Sequence, residues 1–303
     1  MVLTPQQTLS FLARRFRESG IRLRTKWGQN FLIDMNLQRV LLDAAGTGPD
    51  DVVLEVGTGT GGLTALLAQK AAAVVTVELD RQLFQLASEE LIDVKNVTML
   101  CADALEAKHR LNPEMLAAVD RCLAAGPGRR WILAANLPFN VATPLLMNLL
   151  ALERPPRTMT VTIQKELADR IVARPGAKDY GALSLWVQCQ CQVELVRTLP
   201  PTVFWPRPKV TSAIVRLTLD EQLRSRIADR DFFHEFIRAI FMHRRKFLRS
   251  ELVTAFKDRL DKPAVDRIIA AQGLNVTARA EELTVETMLA LASAVQAAIS
   301  AEM

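Results

Sequence analysis

The sequence predicts an α/β protein with a mainly parallel sheet, followed by a small all-helical C-terminal domain. Between residues 51 and 219, short apolar runs alternate with helical stretches, the pattern left by βαβ units. Gly57, Gly59, Gly61 and Gly62 follow the first run and open a helix over Leu63 to Gln69, as at a strand-to-helix turn that meets a ligand. After Asp220 no strand-like run appears, while Phe232, Phe233, Phe236, Ile237, Ile240 and Phe241 recur at helical spacing.

Taken in order, a basic segment over residues 1–35 comes first, with Arg14, Arg15, Arg17, Arg22, Arg24 and Lys26 set against Glu18 as the nearby acid. Strands are expected over Val52 to Val56, Ala73 to Glu78, Val97 to Cys101, Trp131 to Ala135, Met159 to Ile163, Val193 to Thr198 and Ser212 to Leu219, with helices between them. Pro200, Pro201, Pro206 and Pro208 forbid regular helix and make that stretch a shaped loop before the last strand. The helical domain closes with an amphipathic stretch, Thr284 to Ala298. The expected division is a sheet domain over residues 1–220 and a helical domain over 221–303.

Half of the 303 residues are apolar, enough for a substantial core. No apolar run reaches the roughly 18 to 20 residues that span a bilayer, and no signal-peptide pattern opens the chain, so a soluble, cytoplasmic protein without membrane contact is expected. Cys101, Cys122, Cys189 and Cys191 show no CxxC spacing, and His109, His234 and His243 are scattered, so no metal is expected and the thiols read as reduced and structural. Cys189 and Cys191, two apart in a strand-like segment, would face one side of a strand. The net charge is only +5, but it is uneven, with Arg244, Arg245, Lys246 and Arg249 forming a second basic cluster suited to phosphate-rich partners or to a solvated helix face.

The chemistry should lie at the strand ends, where open α/β sheets bind ligands. The spacing of Gly57, Gly59 and Gly62 suits a nicotinamide cofactor and S-adenosylmethionine alike. Glu78 ends the second run, about where an acid holds a ribose diol, and Asp103 follows the third, where a carboxylate can accept from an adenine amino group. Behind the fourth run stand Asn136, Leu137, Pro138 and Phe139: an amide acceptor, a stiff turn and a stacking face, suited to a flat base with an exocyclic amine.

These residues, with Lys26, Trp27, Gly28, Gln29, Asn30, Phe31 and Leu32 before the first strand, resemble the ribosomal RNA adenine N6-dimethyltransferase family. Gln164, Lys165 and Glu166, then Lys178, Asp179, Tyr180 and Gly181, and the set Phe204, Pro206, Pro208, Lys209 and Val210 are similar to the same pattern. Phe241, Arg244, Arg245 and Lys246, with Arg279, Ala280 and Glu281, resemble its bacterial small-subunit branch, the kasugamycin-sensitivity enzymes. Phe139 stands where many relatives carry Tyr, and Thr58 where Pro is frequent.

The resemblance implies a Rossmann-like S-adenosylmethionine-dependent methyltransferase sheet, with Asn30 and Leu32 contacting the cofactor beside Gly57, Gly59, Glu78, Asp103 and Asn136. It implies a monomer acting on two adjacent adenines near the 3′ end of small-subunit (16S) rRNA inside an assembling particle. Asn136 and the Leu137 carbonyl would accept from the adenine amine, Phe139 would stack on the base, and Arg244, Arg245 and Lys246 would meet rRNA phosphates. Two alternatives share many of these features: a large-subunit rRNA methyltransferase of the antibiotic-resistance type, and an RNA-binding assembly or transcription factor in which methyl transfer is secondary.

Overall fold

The computed structural model describes residues 9–18, 20–21, 28–243 and 246–302. Its centre is a seven-stranded sheet: β1 (Asp51–Val56), β2 (Ala73–Glu78), β3 (Val97–Cys101), β4 (Arg130–Asn136), β5 (Thr158–Gln164), β6 (Cys191–Leu199) and β7 (Ser212–Leu219). The order across the sheet is β3-β2-β1-β4-β5-β7-β6. β1 pairs in parallel with β2 and β4, β2 with β3, and β4 with β5, while β7 runs antiparallel to β5. Chain order therefore reverses between β1 and β4, and the carboxyl ends of those two strands flank the crevice where such sheets hold ligands.

The strands form where apolar runs are covered on both faces. Every residue of β1 and β2 is buried, and Val52, Val53, Leu54, Val74 and Val75 have no exposed surface at all. At the far end of the sheet, the Arg130 guanidinium donates twice to the Asp51 carboxylate, at 2.7 and 3.1 Å, and so ties the starts of β4 and β1 together. Helix Met35–Ala45 begins where the Asp34 carboxylate accepts from the Asn36 and Leu37 amides, and it ends at Gly46 in the left-handed region. Asp80 and Asn112 cap helices Arg81–Glu90 and Pro113–Ala124 in the same way.

One pairing has no signature in the sequence. Phe31–Leu32 forms a two-residue antiparallel ladder with Phe204–Trp205, and Phe16, Phe31 and Trp205 cluster with ring centroids 5.4 to 6.5 Å apart. The proline-rich loop thus holds a short 3-10 turn, Pro201–Val203, and a strand that seats the segment before β1.

The chain divides into two compact units, one holding the described residues up to Ala168 with Glu194–Thr218, the other Asp169–Val193 with the described residues from Leu219 onward. The second unit thus joins Asp169–Val193 to the C-terminal part of the chain. Burial explains this: Trp186, fully buried on helix Ala182–Gln188, lies beside Phe233 and His234, with ring centroids at 6.3 and 4.6 Å. The Tyr180 hydroxyl donates to the Leu283 carbonyl at 2.9 Å, and Arg224 donates to the buried Gln190 side chain. Helices Arg230–Ile240, Leu248–Ala255, Lys262–Ala271 and Val285–Glu302 make up most of the rest.

The expected strand placement of Cys189 is corrected. Cys189 is the helical C-cap residue of Ala182–Gln188, and only Cys191 lies in β6, so the two thiols do not share a strand face although both are buried. Among the described residues no helix is long and apolar enough to cross a membrane.

Candidate active site

The tips of β1, β2 and β4 and the turn after β3 open onto one cleft of about 720 Å³. Asn30, Gly57, Gly59, Glu78, Asp103, Asn136, Leu137 and Pro138 line it, so residues spread over more than a hundred positions are gathered in one place. A second cavity of about 440 Å³ adjoins it, sharing Phe31, Gly57, Gly59 and Asn136 and adding Leu32. Phe139 borders neither: it is half-buried at the outer end of its turn. Arg244 and Arg245 lie outside the described residues, while Lys246 is exposed with its Nζ 3.9 Å from Glu251.

Backbone conformation keeps the cleft open. Gly57 has φ 89°, and a Cβ there would stand 3.2 Å from the Pro138 ring, so the glycine turn and the tetrapeptide after β4 come together only because position 57 lacks a side chain. Gly28, at φ 65°, lies equally close to the other side of that tetrapeptide, with 3.1 Å between its virtual Cβ and the Phe139 amide nitrogen.

Two buried carboxyls support the glycine loop. Glu78 accepts from the Gly59 amide and the Asp80 amide, each at 2.9 Å, which fixes the loop against the tip of β2. Burial raises its pKa above the usual value, an effect partly offset by those two amides. Behind the loop, Glu55 accepts from the Thr64 and Thr76 hydroxyls at 2.6 and 2.8 Å, and its complete burial pushes its pKa up to about 8. Asp103, by contrast, is exposed at the edge of the cleft, and one of its oxygens accepts from the Leu105 amide in its own turn.

The tip of β4 has a defined polarity. Asn136 donates from Nδ2 to the Asn30 carbonyl at 2.9 Å. A carbonyl can only accept, so the amide nitrogen must face Asn30 and the amide oxygen is left as the acceptor. The Leu137 amide is used on the Thr162 carbonyl, while among the described residues no hydrogen bond reaches the Leu137 carbonyl. Two acceptors in adjacent residues thus stand beside the cleft, and no histidine lines it.

The family model described as ribosomal RNA adenine dimethylase matches residues 20–296. The chain belongs to that family. Among curated relatives of this dimethylase chain, Ribosomal RNA small subunit methyltransferase A of Geobacillus thermodenitrificans is 38% identical over 296 residues, covering 97% of this chain and 96% of the relative. The protein of the same name from Moorella thermoacetica is 36% identical, covering 97% and 99%. The fold is shared with a dimethyladenosine transferase from Plasmodium falciparum, at a TM-score of 0.67 and 22% identity over 85% of this chain and 94% of that one. It is shared as well with the 23S rRNA methyltransferase ErmE, at a TM-score of 0.58 and 23% identity, covering 88% and 99%.

The donor set of the dimethylase cleft fits S-adenosylmethionine. A carboxylate at the tip of β2 and another after β3 offer acceptors to a ribose diol and an adenine amine, Leu79 and Ala104 supply apolar flanks, and the glycine turn leaves main chain bare. The sequence pattern gives no role to Gln38 or Glu55, and it names Gln29 only as part of the segment before the first strand. The Gln29 amide donates to Asp80 at 3.0 Å and thereby holds the segment before Asn30 against the tip of β2. Glu55 did carry a signal, an acid in the middle of the otherwise apolar run Val52 to Val56.

Proposed function

We propose that this dimethylase transfers methyl groups to N6 of two adjacent adenines near the 3′ end of small-subunit (16S) rRNA during ribosome assembly. S-adenosylmethionine, when bound, supplies a methyl group on a positively charged sulfur. The chain's own residues do the rest. Gly57, Gly59, Glu78 and Asp103 bind the cofactor along the tips of β1 to β3, with Asn30 and Leu32 on its other side. Asn136 and the Leu137 carbonyl accept from the two hydrogens of the adenine amine, which draws its nitrogen toward a tetrahedral shape and turns the lone pair toward the cofactor. Positioning of this kind supplies much of a bimolecular rate enhancement. Pro138 stiffens the turn, and Phe139, outside the cofactor cleft, stacks on the base once it leaves its RNA context, a contact worth about 1 to 3 kcal/mol. The proton shed by the alkylated nitrogen goes to water, so no general base is assigned.

Arg244, Arg245 and Lys246 contribute phosphate contacts in this account. The observation that carries the proposal is the polarity of Asn136: its nitrogen is tied to Asn30, so its oxygen is the one presented. The test is methyl transfer from labelled S-adenosylmethionine to immature small subunits. Asn136→Ala should lower turnover by about a hundred-fold or more, in line with the loss of a preorganised polar contact to a reacting group. Equal labelling by the parent chain and the variant would end this mechanism.

A further inference from the structure

Helix Met35–Ala45 turns a buried face inward at Gln38, Leu41, Leu42 and Ala45, spacing that calls for an apolar residue at each position. Gln38 breaks the rule. It is 7% exposed, and its Nε2 donates to the Leu32 carbonyl at 2.6 Å, while its Oε1 is buried and takes no hydrogen bond. The amide cannot be turned over to relieve this, because Leu32 offers an acceptor and needs the donor. A buried acceptor without a partner is uncommon and destabilising, and one that lines a cavity can be satisfied by a donor brought by a ligand.

Gln38 lines the second cavity, and the chemistry of that cavity says what the donor is. Among the described residues its polar lining consists of Gln38, Glu55, Asn136 and two threonines, with no Lys, Arg or His. These walls offer acceptors and a buried carboxyl, which suits a compact, positively charged donor. The cavity also adjoins the main cleft at Gly57, Gly59 and Asn136, so one elongated ligand can reach into both.

We propose that Gln38 is a cofactor-contacting residue whose amide oxygen accepts a hydrogen bond from the α-ammonium of the amino-acid end of S-adenosylmethionine, while its nitrogen keeps the Leu32 carbonyl in place. This rests on the assignment of the main cleft to that cofactor. Gln38 then has two linked tasks, orienting the segment before β1 and recognising the charged end of the ligand.

The experiment is a binding cycle by calorimetry on the full chain. S-adenosylhomocysteine is compared with its deamino analogue, in which hydrogen replaces the α-amino group, on the parent chain and on Gln38→Leu and Gln38→Met. The parent should prefer S-adenosylhomocysteine by about ten-fold or more, as for a hydrogen bond to a charged group. Both variants should lose most of that preference through weaker binding of the amino form. A variant that merely disturbs the fold weakens both ligands alike and leaves their ratio unchanged, and an unchanged ratio overturns the proposal. A parent chain that binds the two ligands equally overturns it as well, without touching the cofactor assignment. A parent chain that binds neither removes the cofactor assignment and Gln38's role together.

Discussion

Glu55 and Glu78 lie inside the sheet unit, where burial pushes both carboxyls up from their ordinary range. Asp220, Asp229 and Asp266 lie on the outside of the helical unit, where hydrogen bonds from Gln192, the Phe232 amide and Arg249 pull theirs down. The difference separates two uses of an acid. Helix caps and surface ion pairs are complete in themselves and need nothing more from the surroundings. A carboxyl held under a glycine turn beside an open cleft opposes its own ionisation, and this is the arrangement that accompanies ligand sites.

The comparison breaks most visibly at Glu55. Its carboxyl ionises at about 8 in the fold against 4.5 ordinarily, so between those values the unfolded chain has released a proton that the folded chain retains. Stability therefore falls as pH rises across that window. Glu55→Gln removes the effect, and its unfolding free energy from urea titration, relative to the parent, should improve from pH 5 to pH 8 by an amount on the order of a few kcal/mol. An offset that stays constant with pH would place the Glu55 carboxyl in the same class as the surface acids.

Glu78→Gln should come next in size. It removes the charge while leaving one acceptor for the Gly59 or Asp80 amide, and S-adenosylhomocysteine should bind about 30-fold more weakly by calorimetry, roughly 2 kcal/mol. Replacing Arg244, Arg245 and Lys246 with Ala tests whether the helical unit has a ligand role of its own. Affinity for immature small subunits should drop about ten-fold at moderate salt, and the slope of log K against log salt should flatten by about 2 to 3. The smallest effect belongs to Asp229→Ala, which removes the cap of helix Arg230–Ile240 and should cost about 1 kcal/mol at pH 7. Because the Asp229 pKa is lowered in the fold, its stabilisation is present above its ordinary 3.8 and disappears as pH falls through the lower folded value, so thermal melts of parent and variant should draw together as pH is taken below 3.8.

Much of the sheet unit was legible because its strands are buried on both faces and announce themselves as apolar runs. Each of the seven expected strands is present, with ends shifted by up to two residues. Glu78, Asp103 and Asn136 could be placed beside the glycine turn because residues ending adjacent parallel strands must meet. Phe31–Leu32 with Phe204–Trp205 could not be read this way, since two paired residues show no periodicity and their partners are far apart in sequence. Cys189 misled because an apolar segment that ends a buried helix resembles one that begins a strand. Gln38 and Glu55 were visible as polar residues at apolar positions, yet only coordinates distinguish a satisfied core amide from one with an idle oxygen.

The bond from Asn136 to the Asn30 carbonyl spans 106 residues of sequence. It makes the aim of the amide depend on a peptide group outside the strand that carries it. Without the stretch that carries Asn30, the amide that ends β4 would lose the acceptor that fixes its orientation, so in the proposed reading the part of the pocket that meets the base would be completed by the segment before β1. On that reading, one peptide plane would link the seating of the cofactor to the aim of the amide at the base.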